Sequence, residues 1–120
     1  MAGHVCHFEI PADDLGALKG FYSDVFGWSF EHIPEPFDYD VIKTSGETLG
    51  GGMILRQDPR QGTVNYICVD SIDETLEQAT MRGAKIIVPK SAVAGLGWYA
   101  ILHDPQRNSF GLWQDDKNAC

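Results

Sequence analysis

The order of secondary-structure signals in this chain runs through once and then begins again, and no other property restricts its fold as much. Residues 4–10 read as a strand ended by Pro11. From Asp13 or Asp14, acidic residues suited to open a helix, Leu15, Leu18, Tyr22 and Val25 recur at helical spacing. Phe21 and Phe26 widen that stripe, and Gly27 supplies the stop. Residues 28–33 read as a strand, Pro34 and Pro36 mark a turn, and residues 39–44 and 49–55 are strands joined around residues 45–47. The polar stretch 56–62, with Pro59 and Gly62, is the one linker. Beyond it, residues 63–69 form a strand, and Ser71 opens a helix through a capping box with Glu74. Ile72, Leu76, Ala79 and Thr80 give its apolar face and Gly83 its end. Residues 85–88 are a short strand closed by Pro89, and strands 97–103 and 109–114 are joined by the turn 104–108.

Superposing the halves tests the repetition residue by residue. Leu15 corresponds to Ile72 at an offset of 57, and Gly27 to Gly83 at 56. Phe37 then matches Leu96, Tyr39 matches Trp98, Ile42 matches Ile101 and Gly52 matches Gly111, all at 59. The expectation is a duplicated βαβββ unit of the α+β class: one domain over residues 1–120, with modules at about 1–56 and 62–115. One such unit covers only one face of its sheet with a helix. Two are stable if their curved mixed sheets enclose a shared interior, which becomes a pocket. With 43% hydrophobic residues the chain can build the required core.

Charge and cysteine content narrow the partners. A formal charge of −8, with Lys and Arg scattered singly, argues against nucleic acid, whose phosphates need clustered cations. No apolar run reaches membrane-spanning length, and the N-terminus lacks the pattern of a signal peptide, so a cytoplasmic protein is expected. Cys6, Cys68 and Cys120 are an odd set without CxxC spacing, which supports neither a disulfide framework nor a zinc ribbon. Cys6 and Cys68 sit in apolar runs and read as small hydrophobes.

Several segments, in order, carry a family resemblance: residues 7–15 (HFEIPADDL), 21–28 (FYSDVFGW), 66–72 (YICVDSI), 83–85 (GAK), and Asp104-Pro105 with Asn108. Over nearly its full length the chain resembles small glyoxalase-like members of the vicinal oxygen chelate superfamily, which includes glyoxalase I, bleomycin resistance proteins and extradiol dioxygenases. The resemblance implies a metal site with one ligand from the first and last strand of each module. Carried onto this chain, those positions are His7, Gly52, Val64 and Gly111. Glycine and valine offer no lone pair, so the expectation is no metal and no cofactor. The resemblance also places glycine where Arg107 stands, in a left-handed position, so a different turn is expected there. Members of this size commonly pair, which implies a homodimer.

Strand alternation then selects the pocket lining. If His7 points inward, so do Val5 and Glu9, while Cys6, Phe8 and Ile10 pack under the helix. The same count brings in Val64, Tyr66 and Cys68, Gly50 and Gly52, and Gly111 with Trp113. Ligand is expected to lie over the glycines, with Tyr39, Trp98 and Trp113 available for stacking. His7 and Glu9 could transfer protons, with Tyr66 stabilising an oxyanion, in a metal-free lyase or isomerase step on a small carbonyl or aromatic compound. The alternative is sequestration of a small organic molecule without chemistry, with His7 as a hydrogen-bonded core imidazole.

Overall fold

The computed structural model describes residues 3–34, 39–44, 46 and 49–120. Pro36, Phe37 with its expected match to Leu96, and residues 45 and 47 of the expected connection lie outside the described residues. The chain divides into two units: His7–Thr63, and the first six residues together with Val64–Cys120.

In the first of these, strand β1 (Val5–Ala12, here from His7 onward) is followed by helix α1 (Leu15–Phe26) and strands β2 (Ser29–Ile33), β3 (Tyr39–Lys43) and β4 (Gly50–Leu55). Asp14 starts the helix: its carboxylate accepts the amide of Ala17 at 3.0 Å, satisfying a donor that has no partner within the helix. Gly27 ends it with φ of 75°, its N–H donating to the Ser23 carbonyl. The sheet order is β2-β3-β4-β1, with β1 and β4 parallel and the other pairs antiparallel. Leu15, Leu18 and Tyr22 from the helix pack with Phe8 and Ile10 against Ala12, Ile42 and Met53. Met53 and Ile42 are fully buried, each contributing about 1.5–3 kcal/mol. Because Phe8, Ile10 and Ala12 take this face, alternation turns His7 and Glu9 to the other.

The other unit repeats the order with β5 (Val64–Cys68), α2 (Ile72–Met81), β6 (Lys85–Val93), β7 (Gly97–His103) and β8 (Ser109–Asp115). Its sheet order is β6-β7-β8-β5, with β5 and β8 parallel. The Ser71 hydroxyl caps α2 by accepting the Glu74 amide at 3.2 Å, and Gly83 follows with φ of 103°. Ile72, Ala100, Leu102 and Leu112 form the core under the helix, with Ile67, Val69, Leu76 and Trp98 against them. The N-terminal segment joins this unit: Gly3 donates to the Cys68 carbonyl at 2.7 Å, and Cys68 donates to that of His4 at 2.9 Å. Each unit is thus a βαβββ module with a mixed sheet, the α+β class the sequence indicates.

The register corrects the repeat alignment by one residue. Val41 pairs with Gly52 and Ile101 with Gly111; Ile42 pairs with Gly51 and Leu102 with Phe110. The offset for the third strands is therefore 60, while that for the glycines is 59. A slip of one residue exchanges the faces of a strand, so Tyr39 corresponds to Tyr99 and not to Trp98. Two strands also run past the prolines expected to close them. β1 continues through Pro11 to Ala12, and β6 through Pro89 to Val93. β6 is the last strand in its sheet and its pairing is irregular between Val88 and Ser91, a setting that tolerates the missing N–H. The turn at Arg107 keeps its left-handed backbone, with φ of 67°, contrary to the expected change. The Asp104 carboxylate compensates by accepting the amides of Gln106 and Asn108 and the Asn108 side chain.

Candidate functional site

On the face of the His7–Thr63 sheet opposite α1, three polar side chains converge. In the parallel β1–β4 register His7 lies beside Gly50 and Glu9 beside Gly52. Tyr39, at the start of β3, reaches across Gly52: a Cβ built on that glycine would fall 1.7 Å from the Tyr39 Oη and 2.0 Å from its Cζ. The hydroxyl lands 2.6 Å from His7 Nε2 and 3.1 Å from Glu9 Oε2, and the two rings stack at 23°.

A phenol has one hydrogen and, in this network, it donates to Glu9. The contact with His7 must then be donated by Nε2–H, which assigns the imidazole tautomer. Burial holds the His7 pKa below its ordinary 6.5, so the ring is neutral at pH 7. The chain of donors therefore runs from imidazole to phenol to carboxylate. Such a path can carry a proton between its ends or present the hydroxyl to an incoming oxygen.

Of the expected catalytic residues, His7 and Glu9 are brought together by Tyr39. Tyr66 is buried on β5 beside Gly111, with its ring filling the space over that glycine. A Cβ on Gly111 would lie 2.3 Å from Tyr66 Cδ1. Tyr39 supplies a hydroxyl to the His7–Glu9 pair, and the glycines expected to form an open floor at 52 and 111 are each roofed by a tyrosine. Gly50 alone of the expected floor glycines opens onto space. Val64 is buried.

Trp113 lies over Gly97, where a Cβ would meet its ring at 2.6 Å, and its Nε1 donates to Asp115 at 2.7 Å. Trp98 packs on the helix-side core, beneath Lys90 at 4.6 Å, and donates to Asp116 at 3.0 Å. That placement corrects its expected role in ligand stacking and follows from the one-residue slip in the repeat. Cys68 lines a depression of about 490 Å³ with His4, Cys6, Asp70 and Asp115. Cys6, expected under the helix, instead lies in this depression, its thiol pushed up to about 12 by burial, then by the Cys68 thiol and the Asp115 charge.

The metal site that the family resemblance implies does not fit these residues. The space a ligating side chain would need at position 52 holds the Tyr39 phenol, and that at position 111 holds the Tyr66 ring. Among the described residues, no group of three or more His, Cys, Asp or Glu is placed to hold a metal ion. The role of Tyr39 as the link between His7 and Glu9 escapes sequence reasoning, which offered it only as a stacking ring. Its signal was Gly52 itself, a residue without a side chain in mid-strand next to the strand that begins with a tyrosine.

Comparison with known proteins places this geometry. Residues 4–45 match the family model described as bleomycin resistance protein-like N-terminal. A glyoxylase-like domain-containing protein of Didymella fabae is 30% identical over 122 residues, covering 92% of each chain. CFP32 of Mycobacterium tuberculosis (strain CDC 1551 / Oshkosh), named as a candidate glyoxylase, is 24% identical over 117 residues. That match covers 92% of this chain but 45% of CFP32, so the chain spans about half the length of this relative. Methylmalonyl-CoA epimerase from Mycobacterium tuberculosis shares the fold at a TM-score of 0.69 and 14% identity, covering 95% of this chain and 88% of the epimerase. Among the described residues no helix is long and apolar enough to cross a membrane. The matched sequence and the paired βαβββ modules together establish that the chain belongs to the glyoxylase-like family of the vicinal oxygen chelate superfamily.

Proposed function

We propose that this chain is a small-molecule protein that moves a proton on a carbonyl compound through His7, Tyr39 and Glu9, in an isomerase or lyase step without a metal. The observation that carries the reading is the Tyr39 hydroxyl held between an imidazole at 2.6 Å and a carboxylate at 3.1 Å. In the step envisaged, Glu9 takes the proton from carbon beside the carbonyl. The electron pair moves onto the carbonyl oxygen, where Tyr39 donates the hydrogen that the now protonated Glu9 no longer accepts, and the proton returns to carbon from Glu9. An epimerase among the proteins of this fold agrees with chemistry of that class. Tyr66 remains a candidate to stabilise the oxyanion, and Gly50, Val64, Cys68, Gly111 and Trp113 remain candidate ligand contacts, in one glyoxalase-like domain with modules at about 1–56 and 62–115. The reading further holds the protein to be cytoplasmic and homodimeric.

A second reading has one observation in its favour. The family model covering His7, Glu9 and Tyr39 is that of a bleomycin resistance-like region, which fits sequestration without turnover. A small-molecule library screened by melting-temperature shift, with hits incubated in D2O and their products and α-deuteration followed, separates the two. The proton-transfer reading expects solvent deuterium at carbon with wild type and its loss in Tyr39→Phe and His7→Ala that remain folded. Stabilisation by hits without deuteration or product in wild type overturns it and supports sequestration.

A further inference from the structure

We propose that Gly52 is a positioning residue: the absence of its side chain forms the socket that holds the Tyr39 hydroxyl between His7 and Glu9. In this chain a phenol oxygen therefore occupies the space that a ligating side chain at position 52 would need. The inference deepens the proton-transfer reading and rests on it for the use made of the hydroxyl.

A glycine inside a strand weakens it, so its presence at position 52 requires a reason. Backbone conformation does not supply one. The glycines with positive φ are Gly3, Gly27, Gly83 and Gly95, and Gly52 is not among them. Space does supply one, since even a methyl group there would overlap the Tyr39 Oη, Cζ and Cε2. The atoms in conflict are at the tip of the ring, the part that bonds His7 and Glu9. Any side chain at 52 and the observed hydroxyl position thus exclude each other. Gly50, two residues earlier on the same strand, shows that the exclusion is local, because a Cβ there meets nothing within 4 Å.

The test is an NMR measurement that needs no substrate. The ¹⁵N shifts of the His7 ring report its tautomer, and a slowly exchanging Tyr39 hydroxyl proton reports the network. Wild type is expected to show His7 as the Nε2–H tautomer with the hydroxyl proton visible. Gly52→Ala is expected to behave as Tyr39→Phe does, losing the hydroxyl signal and moving His7 toward a tautomer mixture, while Gly50→Ala keeps both wild-type signatures. Retention of both signatures in Gly52→Ala overturns the proposal. If Gly52→Ala fails to fold, the double variant with Tyr39→Ala removes the conflict and is expected to fold; failure of the double variant also overturns it. A wild-type tautomer pattern combined with no deuteration of any library hit would instead count against the proton-transfer reading and leave the socket standing.

Discussion

Gly111→Ala provides the strictest check on the packing, because the partner it would strike cannot step aside. The new methyl carbon would lie 2.3 Å from Tyr66 Cδ1, 2.4 Å from Cε1 and 3.0 Å from Cγ, the body of a buried ring and not its tip. Tyr66 is 6% exposed and Gly111 is its direct cross-strand neighbour, so relief requires the ring or the β5–β8 pairing to shift. Overpacking of this kind costs about 1–3 kcal/mol. The reduced freedom of the unfolded chain returns roughly 0.4–1 kcal/mol, leaving a net loss of about 1–2 kcal/mol. In urea, where a small domain loses about 1–3 kcal/mol per molar, the midpoint should fall by roughly 0.5–1 M. Gly50→Ala meets nothing within 4 Å and should leave the midpoint unchanged or raise it. Tyr66→Phe keeps every carbon in the conflict and should not rescue Gly111→Ala, whereas Tyr66→Ala should make the second substitution nearly neutral. Equal midpoints for Gly111→Ala and Gly50→Ala, or additive losses in the Tyr66→Ala background, would refute the reasoning.

Three other outcomes are expected. Burial lowers the folded pKa of His7 beneath the 6.5 of the unfolded chain, so the unfolded state binds more protons below that pH and the His7 contribution to stability is lost as pH falls. Melting temperatures between pH 5 and 8 should therefore drop more steeply on the acid side for wild type than for His7→Gln, and parallel curves would contradict this assignment. With its pKa near 12, the Cys6 thiol stays protonated at pH 8 and should alkylate with iodoacetamide far more slowly than exposed Cys120, as read by peptide mass mapping. Labelling of both at one rate would be inconsistent with that environment. Arg107→Gly removes the left-handed penalty of about 1 kcal/mol, partly offset by a freer unfolded chain, and should raise the melting temperature slightly. A decrease would show that the Arg107 side chain stabilises the turn in a way its backbone does not reveal.

Local chemistry made the elements legible. Asp14, Gly27, the Ser71–Glu74 box and Gly83 each act within a few residues of themselves, and each does what its side chain, or lack of one, dictates. The placing of His7 and Glu9 on the face away from α1 was equally local, since Phe8 and Ile10 on the opposite face are plainly apolar. What sequence could not supply was register between strands. A single-residue difference between the offsets of β3 and β4 against β7 and β8 decided whether Trp98 or Tyr99 matched Tyr39, and carrying the offset of the glycines over to β3 favoured the wrong one. For the same reason the glycines at 52 and 111 looked like open floor: which ring crosses a glycine depends on the neighbouring strand, not on the one that carries it. Pro11 and Pro89 misled in a related way, because a proline ends a strand only where the partner demands its N–H.

The opening residues of the chain hydrogen-bond with Cys68, which has a consequence for synthesis on the ribosome. Gly3 and His4 are translated more than sixty residues ahead of the backbone groups that complete them. Through that interval the His7–Thr63 segment has time to order itself, while Gly3 and His4 wait with their donors and acceptors turned to water. Closure of the second unit is therefore a late, long-range event that must bring Gly3 and His4 to a strand made well after them.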